Sequence, residues 1–136
     1  MAILILKDVV ITINAVTLTD HGNQITLNYE KELKDATVFG NLGRRNAAGT
    51  LQTNSCDIEL LQDMAAASVE ATLYPLVGEQ TTVTFKPTSA ATSATNPLYT
   101  LSFTTLGKHN PAKGSVGEIS TTTASFQGGE LVKTII

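Results

Sequence analysis

Asn23-Gln24-Ile25-Thr26-Leu27-Asn28-Tyr29-Glu30-Lys31-Glu32-Leu33 is the stretch whose reading decides the fold. Ile25, Leu27, Tyr29 and Leu33 alternate with Thr26, Asn28, Glu30 and Glu32, and a period of two puts successive side chains on opposite faces of an extended chain. The pattern predicts a strand over residues 23–33 with one dry and one wet face. Toward the N-terminus, residues 2–14 and 16–19 are rich in Ile, Val, Leu and Thr, which favour strands, and Asn14-Ala15 marks a break between them. Toward the C-terminus, residues 39–49 hold three glycines, Arg44-Arg45 and two asparagines, and predict a projecting loop within about residues 39–53. Strand character returns over 50–62, with Cys56, Ile58 and Leu60 on one face and Ser55, Asp57, Glu59 and Leu61 on the other.

One short helix is expected. Ser68 is a candidate N-cap, Glu70 suits the first turn, and Val69, Leu73, Leu76 and Val77 recur at helical spacing, which makes them the packing face and turns Glu70 away from it. Pro75 limits the helix, because an interior proline costs about 3 kcal/mol, and Gly78 closes it. Residues 81–87, 98–106, 118–126 and 131–135 read as further strands, separated by loops at 89–97 and 107–117 and by a turn or bulge at Gly128-Gly129. The expected fold class is therefore mainly β: seven or eight strands and one short flanking helix, in a single domain over residues 1–136.

Charged residues are 15% of the chain against roughly 25% in an average soluble domain, so Thr, Ser, Asn and Ala must cover much of the surface, a composition that suits protein contacts. A net charge of −3 with scattered Lys and Arg argues against holding nucleic acid by its phosphates. The single cysteine, Cys56, forms no intrachain disulfide and reads as a small buried hydrophobe. The apolar opening Met1-Ala2-Ile3-Leu4-Ile5-Leu6 lacks a basic region before it and a cleavage site after it, and is broken by Lys7-Asp8, so neither a signal peptide nor a membrane span is expected.

The search for chemistry returns little. His21 and His109 sit in turn-like settings without partners at metal-ligand spacing and read as surface histidines. No phosphate loop, nucleophile elbow or paired-histidine zinc motif occurs, and carboxylates two apart on a wet strand, Glu30/Glu32 and Asp57/Glu59, are what any solvated strand shows. No catalytic residue, metal or cofactor is expected. Arg44-Arg45, with the adjacent Asn46, reads as a contact with carboxylates of a neighbouring protein.

The order of several segments resembles the tail tube (major tail) proteins of long, flexible-tailed bacteriophages. These are Asp35-Ala36-Thr37-Val38-Phe39-Gly40, Arg44-Arg45-Asn46-Ala47-Ala48-Gly49, Ile58-Glu59-Leu60-Leu61-Gln62-Asp63 and Ala65-Ala66-Ala67-Ser68-Val69-Glu70-Ala71-Thr72-Leu73-Tyr74-Pro75-Leu76-Val77-Gly78. Ser93-Ala94-Thr95-Asn96-Pro97-Leu98-Tyr99, Gly114-Ser115-Val116-Gly117-Glu118 and Phe126-Gln127-Gly128-Gly129 extend it over residues 35–130. The resemblance implies a β-sandwich or half-barrel whose hexameric rings stack into a hollow tube that conducts DNA without binding it specifically. It also implies other tail proteins (tape measure, tail tip, terminator) as partners, the virion tail as location after assembly in the host cytoplasm, and no membrane. A duct for DNA calls for an acidic or neutral lining, because Lys and Arg would grip the phosphates. Candidates for that lining are Glu30, Glu32, Asp57, Glu59, Thr121, Thr123 and Ser125. A secretion-system tube protein, or a capsid-decorating or carbohydrate-binding sandwich, would share the strand content.

Overall fold

The computed structural model describes residues 4–6, 8–40, 42–66 and 68–135. Among these, ten strands form: β1 (Val10–Ile13), β2 (Val16–Thr17), β3 (Gly22–Asn28), β4 (Lys31–Asp35), β5 (Asn46–Gln52), β6 (Ser55–Leu61), β7 (Gln80–Lys86), β8 (Leu98–His109), β9 (Thr121–Gln127) and β10 (Glu130–Thr134). All strand pairings are antiparallel. Eight strands make one sheet in the order β2-β1-β7-β8-β9-β6-β3, with β10 also paired to β8, while β4 and β5 form a separate hairpin. The fold is mainly β with one short helix, α1 (Val69–Leu73), continued by a 3-10 turn at Tyr74–Leu76.

The long strand β8 explains how one sheet encloses a core. Its first half pairs with β10 and its second half with β9, so β9 and β10 follow each other along the same edge. The interruption falls at Phe103, whose φ of 57° is rare for a bulky side chain, and at Gly128 and Gly129, with φ of 77° and 96°. β7 shifts register at the same level, between Thr81 and Val83. Aligned bulges crease a sheet. One half carries Ile11, Ile13, Val83 and Leu101, the other Cys56, Ile58, Leu60, Leu106, Ala124 and Phe126, and all belong to one buried cluster together with Val69, Leu73 and Leu76 of the helical segment. At the far side the curled sheet brings β3 back toward β1, where a Cβ on Gly22 would lie 3.1 Å from the Ile11 side chain.

Several boundaries differ from the sequence reading. The strand expected over 23–33 is two strands: β3 pairs with β6 in the main sheet and β4 pairs with β5 outside it. The strand expected over 50–62 divides likewise at Thr53-Asn54. At the first joint the apolar spacing Ile25, Leu27, Tyr29, Leu33 is interrupted only by Lys31, too little to reveal it, whereas the polar run Gln52-Thr53-Asn54-Ser55 and the change of apolar parity from Leu51 to Cys56 do mark the second. The second half of the expected loop, including Asn46, is therefore strand β5, and the projection is a hairpin arm with its turn near residues 38–44. At the N-terminus regular pairing starts only at Val10; residues 4–6, 8 and 9 are outside any strand, and 2, 3 and 7 lie outside the described residues. Asn14 and Ala15, with φ of 50° and 66°, form the tight turn between β1 and β2.

Candidate functional site

Three surfaces collect the residues singled out from sequence. The first is the outer face of the β3-β6-β9 sheet. Asp57 stands opposite Ser125, Glu59 opposite Thr123 and Leu61 opposite Thr121 across the β6–β9 pair. On the other side Thr26 opposes Asp57 and Gln24 opposes Glu59. This happens because Cys56, Ile58 and Leu60 take the buried face, which the period of two denies to their neighbours. Ser125 donates to Asp57 at 2.8 Å, and the amide of Asn23 donates to Glu59 at 3.4 Å. Lys108, in register with Ser125, adds one cation to the two carboxylates, so the face is polar and weakly acidic.

Glu30 and Glu32 are not part of that face. Glu30 occupies the joint between β3 and β4, and Glu32 lies on the arm, ion-paired with Lys34 and packed against Gly49. The sequence reading offered Glu30/Glu32 and Asp57/Glu59 as candidate strand faces, and of the two only Asp57/Glu59 stands beside the Thr121, Thr123, Ser125 row.

The arm is the second surface. Asn54, buried at its base, accepts from the Glu30 amide at 3.3 Å and donates to the Gln52 side chain at 2.8 Å and to the Gly129 carbonyl at 3.0 Å. Gln52 also accepts from the Leu131 amide at 3.1 Å, which ties the arm to the crease of the sheet. Near the tip, the Arg45 carbonyl accepts from the Ala36 amide at 2.7 Å and its amide donates to Thr37 at 2.8 Å. Thr37 in turn bonds Asp35 and holds that carboxyl below the usual carboxylate range. Arg44, Arg45 and Asn46 are exposed, as are Leu33, Phe39, Leu42 and Leu51. Exposed apolar side chains are thus concentrated on one projection.

The helical segment is the third. Val69, Leu73 and Leu76 are buried, whereas Val77, expected on the same apolar face, is 46% exposed and begins the exit toward β7 through a bridge to Leu106. The helix ends a turn earlier than its spacing suggested, because Pro75 enters the 3-10 turn. Ser68 occupies the N-cap position without a side-chain capping bond. Glu70 does not face away: its carboxylate receives His109 Nε2 at 2.8 Å and Gln62 Nε2 at 3.0 Å.

His109 is not a surface histidine either, its side chain being 1% exposed. Thr122 Oγ1 lies 3.0 Å from His109 Nδ1 and donates to the Asn110 carbonyl at 2.7 Å. Hydroxyl, imidazole and carboxylate thus stand in the order of a hydrolytic relay, but the Thr122 hydroxyl is buried and already committed, so a substrate carbonyl could not reach it. His21 bonds Asp20 at 2.9 Å and Asp63 at 2.8 Å, and the Asp63 bond above all raises its pKa. Asp20 is the chain neighbour of His21, but no periodic or motif signal in sequence marks the contacts to Asp63 and Glu70, which come from other parts of the chain. Burial pushes the Cys56 thiol up to about 12, leaving it unreactive. Among the described residues no cluster of three or more His, Cys, Asp or Glu could hold a metal, and no helix is long and apolar enough to cross a membrane.

No protein-family model matches the chain, and no curated protein matches it by sequence. Solved structures do. A chain of the sheath/tube terminator of the extracellular contractile injection system PVC in its extended state superposes with a TM-score of 0.73 at 7% identity, covering 98% of both chains. A chain from the virion of the native gene transfer agent particle gives 0.70 at 14% identity, over 93% of this chain and 95% of that one. The SPP1 tail tube protein gives 0.68 at 12% identity, over 95% of this chain and 76% of that one. At such identities the likeness is one of fold, and it spans nearly the whole chain. The protein has the phage tail tube fold, the fold of the SPP1 tail tube and of injection-system tube components.

Proposed function

We propose that this chain is a structural subunit that assembles with copies of itself into the stacked, hexameric rings of a phage tail tube, a hollow duct through which DNA is delivered. The observation that carries the reading is the near full-length match to components of tubes, in a chain whose outer sheet ends in an open strand edge at β3. An unpaired edge invites a strand from a neighbour, and repeating that contact around an axis closes a ring. The face carrying Asp57, Glu59, Thr121, Thr123 and Ser125 suits the inner wall, since two carboxylates against one lysine offer phosphates no grip. The arm, with Arg44, Arg45 and Asn46 near its tip, suits contact with the adjacent ring. In this reading residues 1–136 work as one tube domain in the virion tail, tape measure, tail tip and terminator proteins are the partners at the tube's interior and ends, and no cofactor is used.

A tube of a contractile injection system is the second reading, favoured by the likeness to the PVC sheath/tube terminator. Negative-stain microscopy of the concentrated protein distinguishes the two. Long hollow tubes support the tail reading, isolated single rings the injection-system reading, and persistent monomers at all concentrations contradict both.

A further inference from the structure

The chain has two histidines, and both bind the same stretch of chain to the sheet. Residues 62–76, the larger part of the connection from β6 to β7, carry the helix. At the entrance, His21 in the 3-10 turn Thr19–His21 reaches Asp63 at 2.8 Å, with the Ser68 hydroxyl at 3.5 Å from the same nitrogen. Inside the helix, Glu70 is met by His109 from the end of β8. Gln62 links the two contacts, donating to Glu70 at 3.0 Å and to the Pro111 carbonyl at 2.6 Å.

The hydrogen-bond pattern around the two rings differs in what it asks of the proton. His21 places its nitrogens against carboxylate oxygens of Asp20 and Asp63, and ionised carboxylates only accept. His109 donates from Nε2 to the Glu70 carboxylate, and the Thr122 hydroxyl can donate to its Nδ1, so a neutral ring satisfies this second contact at any pH. At His21 a neutral imidazole donates from one nitrogen only and leaves one carboxylate contact unmade, whereas an imidazolium makes both. Among the described residues the charged groups facing His21 are Asp20 and Asp63, and the one facing His109 is Glu70; Lys108, beside it in β8, is exposed.

We propose that His21 forms a proton-operated clasp that holds the entrance of the segment of residues 62–76 against the sheet and loosens as the medium becomes alkaline. Asp63 is its anchor, while the His109–Glu70 contact holds the helix itself. The raised His21 pKa and the lowered Asp63 pKa agree with this geometry. The clasp belongs to the single subunit, so its test does not depend on tube formation.

The experiment is amide exchange of the full chain, corrected for the intrinsic effect of pH, together with NMR titration of the His21 ring. Protection of Val69–Leu73 is expected to fall on the order of three- to tenfold between about pH 5.5 and about pH 8.5, the scale of a partly exposed charge-assisted contact. That fall should follow the His21 titration. In His21→Gln, whose amide donates at every pH, corrected protection should be level across the range. Equal protection of the wild-type segment on both sides of the His21 titration, or an undiminished fall in His21→Gln, would overturn the proposal. If His21→Gln does not fold, the wild-type comparison decides alone.

Discussion

Gly129 lies so close to Ser102 that a Cβ added to it would meet the Ser102 carbonyl oxygen at 2.4 Å. The contact is the pivot of the crease that turns one sheet into a half-barrel, and Gly129 holds a φ of 96° there. Gly129→Ala therefore combines a backbone clash with a left-handed conformation, and is expected to cost about 2–4 kcal/mol. Gly128→Ala has the φ penalty without the clash, since nothing lies within 4 Å of its added Cβ, and should cost about 1–2 kcal/mol. Denaturant unfolding of the two variants checks the difference.

Leu73 is fully buried, and Leu73→Ala should cost about 2–5 kcal/mol, a large part of a small domain's stability. Val77 is exposed, so Val77→Ala is expected to stay within about 0.5 kcal/mol. Comparable losses at both positions by thermal unfolding would mean that the helix buries its other face.

Glu70 would matter little to the monomer if it served only the helix dipole, worth about 0.3–1 kcal/mol. Because it accepts from His109 and Gln62, Glu70→Gln is expected to cost about 1–3 kcal/mol in the isolated subunit. Chemical denaturation of the monomer measures this without involving assembly.

How much of this was legible in the sequence divides along physical lines. Period two along 23–28 and 55–61 identified β3 and β6, and it put Asp57 and Glu59 on the wet face, because burial of Ile25, Leu27, Cys56, Ile58 and Leu60 enforces that period. It could not show that β3 leaves the sheet at Tyr29-Glu30. On the arm Leu33 and Leu51 keep a strand-like pattern while 67% and 68% exposed, so apolar spacing there does not report a core within the chain. The joint is set by Asn54, whose partners Glu30 and Gly129 are 24 and 75 residues away, and a bond between such distant positions leaves no local trace. The same holds for His109 and Glu70, which are 39 residues apart. Gly128-Gly129 was readable as a bulge, but its alignment with Phe103 depends on which strands pair.

Stability should depend on pH through the His21–Asp63 pair in a defined window. The folded-state pKa of His21 is raised, chiefly by its bond to Asp63, so its contribution is complete below 6.5 and is lost as pH rises through the folded value. That of Asp63 is lowered, first by the Ala65 amide and then by Ser68 and His21, so its contribution is present above 3.8 and is lost as pH falls through the folded value. Both are in place between these limits. Melting temperature should be highest there, and Asp63→Asn should flatten the alkaline limb, an outcome read from thermal scans across the range.

The orientation of the polar sheet face within an assembled tube tests the central claim most directly. In a cryo-EM map of tubes formed by the full chain, Glu59 and its partner Thr123 are expected on the inner wall, with the arm reaching the adjacent ring. A tube whose inner wall is built from other strands, with Glu59 and Thr123 on its outer surface, would contradict the account.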